Sequence, residues 1–484
     1  MPALPGPGTR RSGPGPSRFG GTPGPDRSRR DGAARSAWST FVSTRGAFRA
    51  KCARRSRERP IAAPSFIRGR ALSRRRKPGQ GSRLPGRHRF PLRPRLKVSL
   101  MANRILQGPR IRVLINGLHS KTGGGVTYLR NLVPELAKLG GLELHVLLHE
   151  NQYAQFRELG EAARIHLLEI KTGLVPLIIW EQVVLPILSR MMSCDVVFSP
   201  ANYGPLLAPA QMIILHNSWA VSAREPRFSR KLYWLGLRAM TFLSLLTAQR
   251  SIAVSEYAAR TLGSKTIGLF RGPPAVIHHG LSPIFAPDPS GGARENFLLA
   301  VSDIYIQKNT LSLIEALARV RAAIPNITLK IAGRVVDEEY ADEVRSLIVK
   351  HRLEGAVEFL GWRAAEDLVD LYRRCALFVF PSTEETFGMP LAEAMACGTP
   401  IASSSAAAMP EIVADAALMF DPHDIDDMAE KILRLLSDQP LRQVLGERAI
   451  RRAAAFSWET AARQTAAVLR EIGGGRLIER SVPT

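Results

Sequence analysis

Glu385 and Glu393 are separated by seven residues, in a stretch that passes from apolar strand to polar turn to helix. Residues 376–380 are apolar throughout, the pattern of a parallel strand covered on both faces. Pro381 and Ser382 end it. Residues 390–396 have helical character with Pro390 near the first turn, and Gly398 and Pro400 stop that helix before a further strand at Ile401. A βαβ unit of this kind presents unpaired backbone N–H groups at its strand-to-helix turn, here near Phe387 and Gly388, and such groups receive phosphate. Carboxylates are poor neighbours for phosphate but good acceptors for vicinal hydroxyls. Two of them bracketing the turn suit a ligand with phosphates in the middle and hydroxyls at both ends, which describes a sugar nucleotide. The same spacing also suits an ordinary βαβ turn with two solvated glutamates.

Three other places have residue types suited to this chemistry. Lys308 and Asn309 stand just before an expected helix over 310–321, where a mobile ammonium beside free N–H groups would stabilise a departing diphosphate. A plain surface lysine at a helix start is the competing explanation. A glycine-rich turn ending in Gly124 and Gly125 links a strand over 111–115 to a helix over 126–139, forming a cradle for phosphate or hydroxyls, or simply a close-packed turn. It is neither GxGxxG nor a Walker loop, because Lys121 and Thr122 precede the glycines. His216 closes an apolar strand over 212–215, and the carboxyl ends of parallel strands face the ligand crevice, although a lone strand-end histidine is more often structural.

These residues are carried by two successive α/β series. The first alternates strands near 111–115, 142–148, 164–168, 195–199, 212–215 and 251–255 with helices, including one through Trp180 and Pro186 and a long one over 230–247. Residues 283–292, rich in Pro and Gly, read as a linker. The second series starts with a strand at 297–301. Its helices are expected over 366–374, 425–436 and 440–455, and a final one starts at 456–459, with Ser457 as N-cap, and runs to about 472. Two halves of similar length with crevice-facing loops place a substrate site between them.

The net charge of +25 does not describe the globular part. Residues 1–100 hold 26 of the 67 Lys and Arg and 3 of the 42 Asp and Glu, so the remainder carries 41 basic and 39 acidic side chains. The globular part is nearly neutral, so the high pI says almost nothing about its partner, and no nucleic acid is expected for it. The basic segment 1–108 is rich in Arg, Pro, Gly and Ser and cannot bury enough apolar surface to offset its ordering entropy, so it reads as disordered. Three origins compete for it: a start assigned upstream of a true start at Met101, a basic tail for anionic lipid or nucleic acid, or a transit-type presequence. The four cysteines form no CxxC or Cys/His pattern, which fits a reducing compartment. No apolar run reaches the roughly 18 residues of a membrane span. The nearest candidates, residues 174–188 and 232–248, are interrupted by Glu181-Gln182 and by Arg238.

The residues Glu385-Thr-Phe-Gly-Met-Pro-Leu-Ala-Glu393, continued by Ala394-Met-Ala-Cys-Gly-Thr-Pro400 and Met409-Pro-Glu411, resemble the E-x7-E region of retaining glycosyltransferases of the family 4 type. The resemblance covers about residues 110–472. It implies the GT-B fold: two Rossmann-like parallel-sheet domains facing a cleft, at 109–288 and 289–456, with a helix over 457–472 crossing back to the first. It implies transfer of a hexosyl group from a nucleotide sugar to an acceptor hydroxyl, with retention of configuration, in synthesis of cell-surface polysaccharide, lipopolysaccharide or glycolipid. Glu385 would position the hexose, Glu393 the ribose, and His216, from a His-Asp pair that here is His216-Asn217, would line the reacting face. Lys308, Asn309, Phe387 and Gly388 would hold the diphosphate, with Gly124 and Gly125 close to it. The family commonly has Gly-Arg where Ser302-Asp303 stands, which leaves Arg334 as a candidate to share the phosphate charge. No cofactor or metal is implied beyond the nucleotide-sugar co-substrate. The implied acceptor is a carbohydrate or a lipid-linked glycan, in the cytoplasm, with peripheral contact to the inner face of the membrane as an option that the helix over 230–247 could serve. Glycogen-synthase-like glucan elongation, sugar-nucleotide epimerisation or hydrolysis, and a basic-tailed binding protein without catalysis are the competing functions.

Overall fold

The structure, a computed structural model, describes residues 110–121, 123–169, 174–216, 228–263 and 272–481. The expectations for segment 1–108 and for Asn217 fall outside the described residues.

Among the described residues the first half is one parallel sheet. Its strands are β1 (Ile111–Asn116), β2 (Leu142–His149), β3 (Arg164–Leu168), β4 (Val196–Ser199), β5 (Gln211–Leu215), β6 (Arg250–Ala253) and β7 (Ala275–Val276), in the spatial order 3-2-1-4-5-6-7. The second half is another, with β8 (Glu295–Val301), β9 (Thr328–Ala332), β10 (Val357–Gly361), β11 (Cys375–Phe380), β12 (Ile401–Ser404) and β13 (Leu418–Phe420) in the order 10-9-8-11-12-13. Central strands such as β5 are buried along their whole length, which is why they read as unbroken apolar runs. In each sheet the strand order reverses once, between β1 and β4 and between β8 and β11. The loops leaving those four strands diverge and open a crevice beyond their carboxyl ends.

The helices that frame the crevice follow from local sequence. α1 (Gly124–Lys138) buries Tyr128, Leu129, Leu132, Val133 and Leu136 at helical spacing, starting two residues before the expected Val126. α2 is composite, with Leu174–Ile179 and Leu185–Met191 in α form and one π-turn, Trp180–Val184, between them. α3 (Phe228–Thr247) is the expected long helix. In the second half, α4 (Thr310–Ala323) and α5 (Met389–Ala396) follow β8 and β11.

α6 (Trp458–Ser481) joins the halves. Leu281 donates its N–H to the Phe456 carbonyl at 3.1 Å, and a Cβ on Gly280 would lie 2.1 Å from the Trp458 nitrogen. Only glycine permits that crossing. The Trp458 ring then meets Tyr128 of α1 at 5.7 Å. The helix continues nine residues past its expected end near Ile472, across the run Gly473-Gly-Gly, although glycine weakens a helix interior. The first of these glycines has a tertiary use, because a Cβ at Gly473 would stand 2.5 Å from Cγ2 of Ile111.

Candidate active site

A cavity of about 520 Å³ lies where the loops of the two halves meet, a size suited to a small organic ligand. Its walls include Gly124, Gly125, His216, Lys308, Glu385, Phe387 and Gly388. Every one of these follows the carboxyl end of a parallel strand. A larger hollow of about 660 Å³ lies at the opposite ends of β8, β11 and β12, lined by Asn296, Ala376, Pro400 and two arginines. Arg294 gives its N–H groups to the carbonyls of Tyr372 at 3.0 Å and Gly398 at 2.8 Å, and Arg442 bonds the Leu435 carbonyl at 2.5 Å. These guanidiniums hold backbone, so that hollow is a structural seam.

In the crevice, Lys308 forms an ion pair with Glu385. Burial works against the ammonium, but Glu385 and Tyr305 outweigh it and hold the lysine above its usual range. Lys308 comes from a single 3-10 turn, Ile306–Lys308, closed by Asn309 in the left-handed region at φ 55°. Asparagine tolerates that conformation. The Asn309 side chain donates to the Pro422 carbonyl at 2.8 Å and accepts from Ser312 at 2.8 Å, so it braces α4 and is not part of the cavity wall. Gly388 caps α5 at φ 84°, a glycine conformation, and Pro390 occupies the first helical turn.

Glu393 lies one turn further along α5, outside the cavity wall. Tyr372 donates its hydroxyl to Oε2 of Glu393 at 3.1 Å. Burial pushes this carboxyl up to about 7, against that hydrogen bond. Arg334 is also outside the wall. Its guanidinium bonds Asp303 at 2.8 Å, the residue standing where the family commonly has arginine.

The loop that bears Glu385 is fastened to the first half. Thr386 donates its hydroxyl to the His216 carbonyl, and its own carbonyl accepts from Ser255 at 2.5 Å. Tyr257 donates to Glu384 at 2.7 Å. Glu411 accepts from the N–H groups of Glu256 at 2.8 Å and Tyr257 at 3.1 Å and lies 2.8 Å from Nε2 of His278. Burial would raise this carboxyl, but these donors hold it below its ordinary value. The same fastening brings His216 to the cavity. Burial lowers His216 to about 4, so its imidazole is neutral at pH 7, and its Nε2 finds no hydrogen-bond partner among the described residues. His279 stacks on it at 5.4 Å and is held well below its ordinary value by burial, then by His216 and His278.

Several wall residues carried no signal that the sequence reading used. His119, Ser120, Tyr203, His279 and Thr386 all line the cavity. His119 and Ser120 belong to the loop after β1, and Tyr203 to the loop after β4, the two strands at which the order reverses. Glu181 lies behind them. It is 0% exposed, accepts from Nδ2 of Asn116 at 2.8 Å and meets Nε2 of His119 at 3.0 Å. Its available sign in the sequence was the polar pair Glu181-Gln182 inside an apolar helix. Among the described residues, no three His, Cys, Asp or Glu side chains are grouped to hold a metal ion, and no helix is long and apolar enough to cross a membrane.

Residues 288–452 match the family described as glycosyl transferases group 1. O-antigen chain mannosyltransferase B of Escherichia coli is 40% identical over 124 residues, which are 26% of this chain and 32% of that protein. D-inositol 3-phosphate glycosyltransferase of Mycolicibacterium smegmatis is 31% identical over 38% of this chain and 44% of its own length. The matches thus span less than half the length of these curated relatives. Among solved structures, Anabaena HepE in complex with UDP and glucose superposes with a TM-score of 0.62 and 20% identity, covering 75% of this chain and 100% of that one. Two parallel-sheet domains with a crevice between their carboxyl strand ends give the described chain the GT-B fold, and its second half matches the glycosyl transferases group 1 family.

Proposed function

We propose that this protein transfers a hexosyl group from a nucleotide sugar to an acceptor hydroxyl with retention of configuration, in the synthesis of a cell-surface glycan. The observation that carries this reading is the meeting of Lys308 and Glu385 in a cavity closed on its other side by Gly124, Gly125 and His216. The mannosyltransferase and glycosyltransferase relatives and the UDP and glucose of the HepE complex support a nucleotide-sugar donor. Lys308 and the N–H groups near Gly388 would take up the charge of the departing diphosphate. Glu385 would hold hexose hydroxyls, and Glu393, once ionised, the ribose. A double displacement would need a carboxylate nucleophile about 5 Å from a second one, as in retaining hydrolases. Glu385 is instead paired to Lys308, which favours a front-face route in which the leaving diphosphate accepts the acceptor's proton. Lysine and backbone amides carry the charge in this reading, so it calls for no metal.

Lipid-linked acceptors are favoured by the surface of α2. Glu181 and Ser189 are buried and Gln182 half-buried, whereas Ile179, Val183, Ile187 and Met191 are exposed at four-residue spacing beside Arg190, Met191 by 77%. Leu232 and Leu235 on α3 are exposed as well. Such faces rest on bilayers. The site would then work at the inner face of the cell membrane.

The test is a melting-temperature and turnover screen of the full chain against UDP-, GDP-, ADP- and dTDP-sugars. One donor should raise the melting temperature and be cleaved slowly without acceptor. No shift with any donor in a folded sample refutes the donor site, and an epimerised sugar among the products refutes transfer.

A further inference from the structure

Resting on that reading, we propose that Tyr203, His119 and Glu181 form a hydroxyl-recognition site for the acceptor sugar, built into the wall of the first half. Lys308 and Glu385 leave this wall unexplained, although it contains a costly arrangement. Glu181 is a carboxylate with no exposed surface, in a helix whose outer face carries Ile179, Val183, Ile187 and Met191 beside one arginine, Arg190. A buried carboxylate is retained only where donors surround it. Here they are the Asn116 amide at 2.8 Å and Nε2 of His119, which is 3.0 and 3.1 Å from the two carboxylate oxygens.

The inward turn of Glu181 has a local cause. The π-turn Trp180–Val184 inserts one residue into the helix, and such insertions recur at functional sites. Its neighbour Gln182 uses both amide atoms on the loop after β4, donating to the Gly204 carbonyl at 3.1 Å and accepting from the Leu206 N–H at 3.0 Å. One turn of helix therefore fixes His119 through Glu181 and the Tyr203 loop through Gln182.

The polarity of the chain then follows. Nε2 faces the Glu181 carboxylate, an acceptor, which favours the tautomer with its proton there. Nδ1 faces the Tyr203 hydroxyl at 3.4 Å, with the two rings edge to face at 4.9 Å. Tyr203 can donate to Nδ1, which polarises its oxygen toward accepting a hydroxyl from a bound sugar. A second, independent mark lies beside it. Ser120 is 2% exposed and lines the cavity, and its Oγ has no partner among the described residues. A Cβ on Gly125 would stand 3.3 Å from that Oγ, so glycine leaves room next to it. Serine Oγ can both donate and accept, and with Tyr203 it offers a pair of contacts to a vicinal diol.

The partner is therefore a pyranoside bearing free vicinal hydroxyls, and the chain acts by positioning it. The test uses the full-length protein and saturation-transfer NMR with methyl α-D-mannopyranoside, methyl α-D-glucopyranoside and methyl β-D-galactopyranoside, each with and without saturating UDP or GDP. At least one glycoside should bind the wild type. Tyr203→Phe removes one oxygen and should weaken that glycoside about five- to tenfold. Glu181→Gln should weaken it too. Both variants should keep the wild-type nucleotide affinity, and Tyr203→Phe its melting temperature. Binding of no glycoside by the wild type, or an unchanged glycoside affinity in Tyr203→Phe, overturns the proposal. Failure of the donor reading is separate: it appears as absence of any shift in the UDP-, GDP-, ADP- and dTDP-sugar screen while the glycoside arm still reports.

Discussion

Glu393 gives the most exposed prediction, because its environment and its proposed task pull its proton in opposite directions. The free protein holds this carboxyl at about 7, against an ordinary 4.5, and burial is the cause. The folded chain thus keeps a proton that the unfolded chain gives up above pH 4.5. The stabilisation this contributes is full below pH 4.5, declines between pH 4.5 and 7, and is gone above about 7. At about 1.4 kcal/mol per pH unit it amounts to at most about 3 kcal/mol. Glu393→Gln mimics the neutral acid and cannot titrate. The stability of wild type minus that of Glu393→Gln, from urea unfolding at pH 5 to 8, should therefore fall with pH by roughly 1 to 3 kcal/mol. In the proposed role the ribose hydroxyls donate to the charged carboxylate, the stronger acceptor, so donor binding should expel the proton. Below pH 7 this carboxyl holds its proton in the free protein, and donor binding at pH 6 should release a measurable fraction of a proton, read from calorimetry in buffers of different ionisation enthalpy. Glu393→Gln should release none. A flat stability difference together with no proton release at pH 6 would refute both the buried-acid argument and the ribose role.

Other perturbations probe the remaining parts. Glu385→Ala should lose most turnover while melting within a few degrees of wild type, and full activity would remove the hexose role. Lys308→Ala should lower kcat more than it raises the donor Kd, because its charge matters most as the diphosphate departs. An unchanged kcat would move the phosphate role to another group. Gly280→Ala forces a methyl against the Trp458 backbone, 2.1 Å from its nitrogen, and should cost about 3 kcal/mol or more by thermal unfolding. A loss under about 0.5 kcal/mol would mean that the crossing of α6 is not fixed at this point.

Local signals in the sequence reached some parts of the molecule and stopped short of others. The turn between β11 and α5 was legible because proline, glycine and apolar runs act on the residues next to them. Lys308 before α4 was legible for the same reason. The sequence alone determined the alternation of strands and helices, the two halves, the concentration of charge in the first hundred residues and the E-x7-E stretch with its glycine at the helix start. At α6 the expected end near Ile472 falls nine residues short of Ser481, because the helix runs on through a glycine run whose first member, Gly473, is held close against Ile111.

Only the tertiary structure decided which of these residues meet. Lys308 and Glu385 are 77 positions apart and are joined because β8 and β11 are neighbours in the sheet. His119 and Glu181 are 62 apart, and the π-turn in α2 sets which face of the helix carries the carboxylate inward. Glu393 points to Tyr372, although its spacing from Glu385 suggested a shared cleft. Periodicity tells which residues share a face of one element. It does not tell what that face meets, because strand order and helix crossing are settled by burial across the whole chain.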